Sequence, residues 1–209
     1  MNWQKLLTEF AERPLFHSSM LNIFSENPQH VQVQLARWVK AGKLSKIRRQ
    51  WYLIEKPFRS KDVPIPVIAT TVVHPSYLSL EWALQYYEMI PEYVPNPTCV
   101  TTDRAVQFTA QNCLFIYYHI QPSLFMGYYQ TEWNGQKILI AHPEKALLDK
   151  LYIFLRKNKF SIEWLQELRL QNLNRLNINR FKSISKKINL KCFERAVEIT
   201  VQYLKEQMT

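Results

Sequence analysis

Three groups of side chains in this 209-residue chain have the types and spacing to do chemistry. The first lies between Gln29 and Lys40. There Gln29, His30, Gln32, Val33, Ala36, Arg37 and Lys40 interleave with Val31, Leu35 and Trp38, and no Asp or Glu occurs. At ~100° per residue, Val31, Leu35 and Trp38 fall within about 60° on one side of a helix, with the polar residues around the other side. A solvated face ordinarily mixes acids with bases. An acid-free face of amides, arginine and lysine suits duplex DNA, where Arg37 and Gln29 can pair with base edges and Val33 or Ala36 can meet a thymine methyl.

The second group is Glu144, Lys145 and Asp149, with Glu81 and Asp103 as outlying acids. Clustered carboxylates beside a lysine are what a metal-dependent nuclease needs. Glu144 and Asp149 are five apart, however, which sets them ~140° apart on a helix and off a common face. A glutamate in a first helical turn is accounted for by the helix dipole, and Lys145 by solvation. A metal-dependent nucleic-acid-processing enzyme using Glu144 and Asp149 is thus the alternative reading. The main one is not an enzyme and needs no cofactor or metal. The third group is Cys113 and His119, which share a strand face by even spacing but have no third group to orient the histidine. The five histidines His17, His30, His74, His119 and His142 form no i, i+4 ligand pair.

These residues need elements to hold them. Trp3, Leu6, Leu7 and Phe10 recur at helical spacing and make a first helix that closes near Pro14. Ser18 is placed to cap a short second helix carrying Met20, Leu21 and Phe24. Asn27-Pro28 is a helix start, and Gly42 a stop. Beyond it, Leu44, Ile47, Tyr52 and Ile54 suit a two-stranded ribbon packing on the helices, with Lys43, Lys46, Arg48 and Arg49 along its first strand and tip. Three short helices and a basic hairpin over residues 1–56 describe a winged helix-turn-helix. Its third helix, with Gln29, His30, Gln32, Val33, Arg37 and Lys40, enters the major groove, and its wing lies on phosphates. A protein-interaction module without DNA is the bland alternative.

The charge distribution agrees with this division. The chain carries 27 Lys and Arg against 17 Asp and Glu, a net +10 that attracts polyanions. Residues 1–61 hold 11 bases and 4 acids, residues 62–158 hold 6 and 8, and residues 159–209 hold 10 and 5. A near-neutral middle therefore sits between two basic ends. Only three glycines occur, Gly42, Gly127 and Gly135, which excludes a P-loop or a dinucleotide fingerprint. Cys99, Cys113 and Cys192 are dispersed without CxxC spacing, as expected for a reducing cytoplasm rather than a disulfide or zinc scaffold. No apolar run has the length of a signal peptide core or a bilayer span.

Pro57, Pro64 and Pro66 mark residues 57–66 as a linker. The body over 67–158 begins with an alternating strand at 65–73. A turn and a helix capped at Ser79 follow, then strands at 99–102, 106–109 and 113–120. Asn134-Gly135 signals a type I′ hairpin between 128–133 and 137–141, and Pro143 opens a helix. Tyr117, Tyr118, Tyr128, Tyr129 and Trp133 are read as packing rather than as a stacking platform for bases. Residues 159–209 form a basic helical extension. Phe181, Ile184, Ile188, Leu190, Phe193, Val197, Val201 and Leu204 make its apolar stripe, and Lys182, Lys186, Lys187, Lys191 and Arg195 its basic face. The expected class is α+β: a winged helix-turn-helix, a mixed α/β body and a helical tail.

The wing ending in Tyr52-Leu53 is followed by Pro75-Ser76-Tyr77-Leu78-Ser79, Val100-Thr101-Thr102 and Phe115-Ile116-Tyr117-Tyr118-His119-Ile120. Ile140-Ala141-His142-Pro143-Glu144-Lys145-Ala146-Leu147-Leu148-Asp149 closes the series. This order resembles the AbiEi family, antitoxins and autoregulators of abortive-infection (type IV) toxin–antitoxin systems, over about residues 1–158. The resemblance implies an antitoxin domain at 67–158 whose family motif is Ser76, Tyr77, Ser79, Pro143, Glu144, Lys145 and Asp149. It also implies binding to inverted repeats in the chain's own promoter. The functional partner it implies is a nucleotidyltransferase-like toxin, countered without a stable complex. One departure is Gln50, which stands where the family's wing turns on glycine. The tail matches no part of that pattern.

Overall fold

The computed structural model describes residues 2–24, 28–188 and 191–208. The N-terminal unit begins with α1 (Trp3–Phe10), whose first turn is capped by Asn2 accepting from the Lys5 amide at 2.9 Å. β1 (Leu15–His17) leads into a 3₁₀ helix, Ser18–Phe24, then α2 (Pro28–Lys40), β2 (Leu44–Arg48) and β3 (Trp51–Ile54). The second helix is thus 3₁₀ and includes Ser18, whose amide donates to the Gln50 carbonyl instead of the residue standing outside as a cap. The expected start of the third helix at Asn27 lies outside the described residues. The strands form a three-stranded sheet in the order β1-β3-β2. Leu6, Phe10, Phe16, Val31, Leu35, Trp38, Leu44, Tyr52 and Ile54 fill a core of its own beneath this sheet.

Gln50 turns the β2–β3 hairpin at φ +66, the left-handed region that glycine adopts freely. The backbone keeps the turn and the side chain carries the strain. Gln50→Gly is expected to raise stability by about 0.5 kcal/mol, once the extra freedom of glycine in the unfolded chain is set against the relieved strain. A rise in the urea midpoint at unchanged slope measures it.

Residues 65–73 are not a strand. They form α3 (Ile65–Val72), with Pro64 at its N-cap and Pro66 in its first turn, where a missing N–H costs nothing. Pro66, Val67, Ile68, Ala69, Thr70 and Val72 are all buried, and a helix apolar all round has no period to distinguish it from a strand. The hydroxyls of Thr70 and Thr71 donate back to the Pro66 and Val67 carbonyls.

The body is a six-stranded mixed sheet in the order β6-β7-β5-β4-β9-β8. Its strands are β4 (Ser76–Leu78), β5 (Thr98–Thr101), β6 (Val106–Ala110), β7 (Cys113–His119), β8 (Tyr128–Trp133) and β9 (Gln136–Ala141). β4 runs parallel to β9, and β5 parallel to β7; the other pairs are antiparallel. The expected hairpin joins β8 to β9, with Asn134 at φ +50 and Gly135 at φ +72, the two positive values of a type I′ turn. α4 (Leu80–Tyr86) and α5 (Pro143–Leu155) pack together, and α6 (Ile162–Glu167), α7 (Ile178–Ser185) and α8 (Lys191–Gln207) complete the chain. Phe181, Ile188, Phe193, Val197, Val201 and Leu204 of the tail join the body's core; Leu190 lies outside the described residues. The architecture is α+β, and no described helix is long and apolar enough to cross a membrane.

The aromatic residues of the sheet pack on one another. Tyr128 stacks on Tyr77 at 4.5 Å, Tyr129 on His142 at 4.5 Å, and Trp133 lies 5.4 Å from Trp82. Burial holds the phenols of Tyr77, Tyr87 and Tyr117 far above the ordinary value of 10.0. A group whose folded pKa is raised stabilises fully below its unfolded value and loses that contribution as pH rises. Stability is therefore expected to fall steeply above pH about 10. Ultraviolet titration of phenolates should show these three ionising only as the chain unfolds.

Candidate nucleic-acid interface and a buried polar clasp

On α2 the stripe Val31, Leu35 and Trp38 faces inward at 6%, 0% and 7% exposure. Trp38 meets Trp3 of α1 at 5.3 Å. This packing turns Gln29, His30, Gln32, Val33, Ala36, Arg37 and Lys40 outward, and all seven are exposed. Val33 is half exposed, unusual for a valine and suited to an apolar contact from outside. Arg37 and Lys40 stand in the last turn, where cations complement the helix dipole. His30, Val33, Gln34 and Arg37 rim an open groove of about 330 Å³ over Leu21 and Trp38, between the 3₁₀ helix and α2.

The ribbon divides its four cations. Lys46 and Arg49 are exposed. The Lys43 ammonium lies over Trp3 and Phe58, 5.1 and 6.0 Å from their centroids. Arg48 turns toward the body: its guanidinium donates to the Val72 carbonyl at 3.4 Å and lies 5.7 Å from the Phe108 centroid. Ile47, expected on the helices, joins the body's core together with Leu53, because the ribbon is covered on both faces. Nothing in local spacing could have indicated this, since the covering strand lies some sixty residues further along.

The second group of chemistry-bearing residues is closed off. Lys145 and Asp149, one helical turn apart on α5, form an ion pair at 1% and 2% exposure. The Asp149 carboxylate also accepts from the Ser79 hydroxyl at 2.7 Å and the Tyr77 hydroxyl at 3.1 Å. Lys145 is therefore buried, not solvated as expected. Ser79 holds the N-cap position of α4 but gives its hydroxyl to Asp149 rather than to that helix. Gly127 permits the close fit, because a Cβ there would stand 3.2 Å from Lys145. Ser76 is spent on the Val73 carbonyl at 2.6 Å, and Pro143 opens α5.

Glu144 points elsewhere. Its carboxylate accepts from the Asn177 amide at 2.7 Å, tying α5 to α7, and Arg180 lies 3.9 Å away. Asn177 and Arg180 were invisible as partners in the sequence, being more than thirty residues distant. Burial, then the Arg180 charge, lowers the pKa of the neighbouring His142. Glu144 and Asp149 thus serve separate contacts and line none of the grooves described. Cys113 bonds the Pro95 carbonyl while His119 bonds that of Asp103, so those two do not meet. Among the described residues, no three His, Cys, Asp or Glu side chains gather as a metal site.

No protein-family model matches the chain, and no curated protein is significantly similar to it.

Proposed function

We propose that this chain is a duplex-DNA-binding regulator whose N-terminal unit works as a winged helix-turn-helix. In this reading α2 lies in the major groove, with Arg37 and Gln29 on base edges and His30, Gln32 and Val33 beside them. Lys40, Lys46 and Arg49 contact phosphates. The observation that carries it is the outward face of α2, acid-free over its whole length, while every large apolar side chain of the stripe faces inward. The basic balance of residues 1–61 supplies the long-range attraction.

From the resemblance to the AbiEi family, we infer repression of the chain's own operon at inverted repeats. The body then acts as the antitoxin domain against a nucleotidyltransferase-like toxin in the cytoplasm. That role is supported by the motif likeness alone. In the body, Tyr77, Ser79, Lys145 and Asp149 act as a structural clasp rather than as reacting groups.

A gel-shift experiment tests the DNA reading. Its probes are a duplex taken from immediately upstream of the chain's own reading frame and a scrambled duplex of the same composition. Tighter binding to the upstream duplex, weakening as salt is raised, is the expected result. Equal or absent binding to both contradicts sequence-specific recognition.

A further inference from the structure

The reading unit does not hang from a free linker. Segment 57–66 is tied at several points. The Ser60 hydroxyl reaches Glu12 at 2.7 Å, Arg59 donates to the Ile54 carbonyl at 3.2 Å, and Gln136 of β9 donates to the Asp62 carbonyl at 2.6 Å. The ribbon is docked independently of that segment. Ile47 and Leu53 are 3% and 1% exposed within the body's core. Glu55 accepts from the Ser45 hydroxyl and from Gln111, which follows β6.

At the ribbon tip Arg48 sits over Phe108 of β6. Phe108 in turn stacks on Phe115 and Tyr117 of β7, at 5.1 and 5.9 Å. The Tyr117 hydroxyl donates to the Ala69 carbonyl of α3 at 2.8 Å, and α3 ends at Val72, whose carbonyl accepts from Arg48. The contacts form a closed loop: ribbon, β6, β7, α3 and back to the ribbon. A planar guanidinium both stacks and donates, which an ammonium cannot do in one geometry.

We propose that Arg48 is a positioning residue rather than a phosphate contact, and that through it β6 and α3 of the body fix the orientation in which α2 meets DNA. The proposal rests on the DNA reading above for its consequence, but not for the lock itself. The body is then part of the recognition apparatus, and a change at Phe108, far from any base, alters sequence selectivity.

The experiment uses the full chain and four variants: Arg48→Ala, Arg48→Lys, Phe108→Ala and, for comparison, Arg49→Ala. The probes are a fluorescent duplex enriched by the wild-type chain from a random-sequence pool and a scrambled duplex. The readouts are affinity against salt and hydrogen exchange of residues 44–54. Arg49→Ala should reduce the salt slope by about 0.9, as loss of one phosphate contact does. Arg48→Ala and Phe108→Ala should leave the slope unchanged, speed exchange of the ribbon by about tenfold and lower affinity for the enriched duplex only. Arg48→Lys should fail to restore protection.

A slope reduced by Arg48→Ala and restored by Arg48→Lys would make Arg48 a phosphate contact and overturn the proposal. So would unchanged ribbon exchange in both Arg48→Ala and Phe108→Ala. If the wild-type chain binds no duplex, the DNA reading fails instead, and the exchange measurement alone decides the lock.

Discussion

Asp149→Ala should destabilise the protein by about 3–5 kcal/mol, the range for removing one partner of a buried ion pair. The loss is large because Asp149 answers three donors at once: the Lys145 ammonium, the Tyr77 hydroxyl and the Ser79 hydroxyl. Without it a charge at 1% exposure has no counter-ion, and two buried hydroxyls have no acceptor. In a domain stable by about 5–15 kcal/mol, such a change removes a large share of the total. The melting temperature should fall by roughly 10 °C. Asp149→Leu combined with Lys145→Met removes both charges and should cost distinctly less than Asp149→Ala alone. Thermal unfolding of the two variants side by side checks this. Equal losses would mean that the pair adds nothing beyond the space it fills.

Arg37→Ala carries the second large effect, this time on binding. A bidentate arginine on a base edge is worth about 1–3 kcal/mol of discrimination, so affinity for the enriched duplex should fall roughly ten- to hundredfold. Affinity for a scrambled duplex should fall far less. The folded state should be unaffected, since Arg37 is exposed and the stripe behind it is untouched. Lys40→Ala serves as the contrast: it should weaken both duplexes alike and reduce the salt slope by about 0.9. Fluorescence anisotropy on both duplexes separates the two patterns. An Arg37→Ala variant that loses equally on both would assign Arg37 to phosphate.

The elements legible in the sequence were those with strong local rules. The Asn134-Gly135 turn, the proline opening α5 and the 3.6-residue stripe of α2 each depend on residues within one or two turns of chain. α3 was misread because a short apolar run buried on every side looks the same in either period. Only the proline at its second position could have distinguished it.

The Lys145–Asp149 pair was legible in principle, being one helical turn apart. Attention to the five-residue spacing of Glu144 and Asp149 passed over it. Its completion by Tyr77 and Ser79, some seventy residues earlier, requires β4 to lie beside β9 in the sheet. The turn of Arg48 toward Phe108 was likewise out of reach. A cation at a ribbon tip reads as solvent-facing until a strand from another part of the chain is known to cover it.

The most direct test of the account is the salt dependence of duplex binding by the wild-type chain and by a variant with Arg37, Lys40, Lys46 and Arg49 all replaced by Gln. The account predicts a linear fall of log K with log salt, with a slope about 3 to 4 units shallower in the variant. Identical slopes for the two proteins would contradict it.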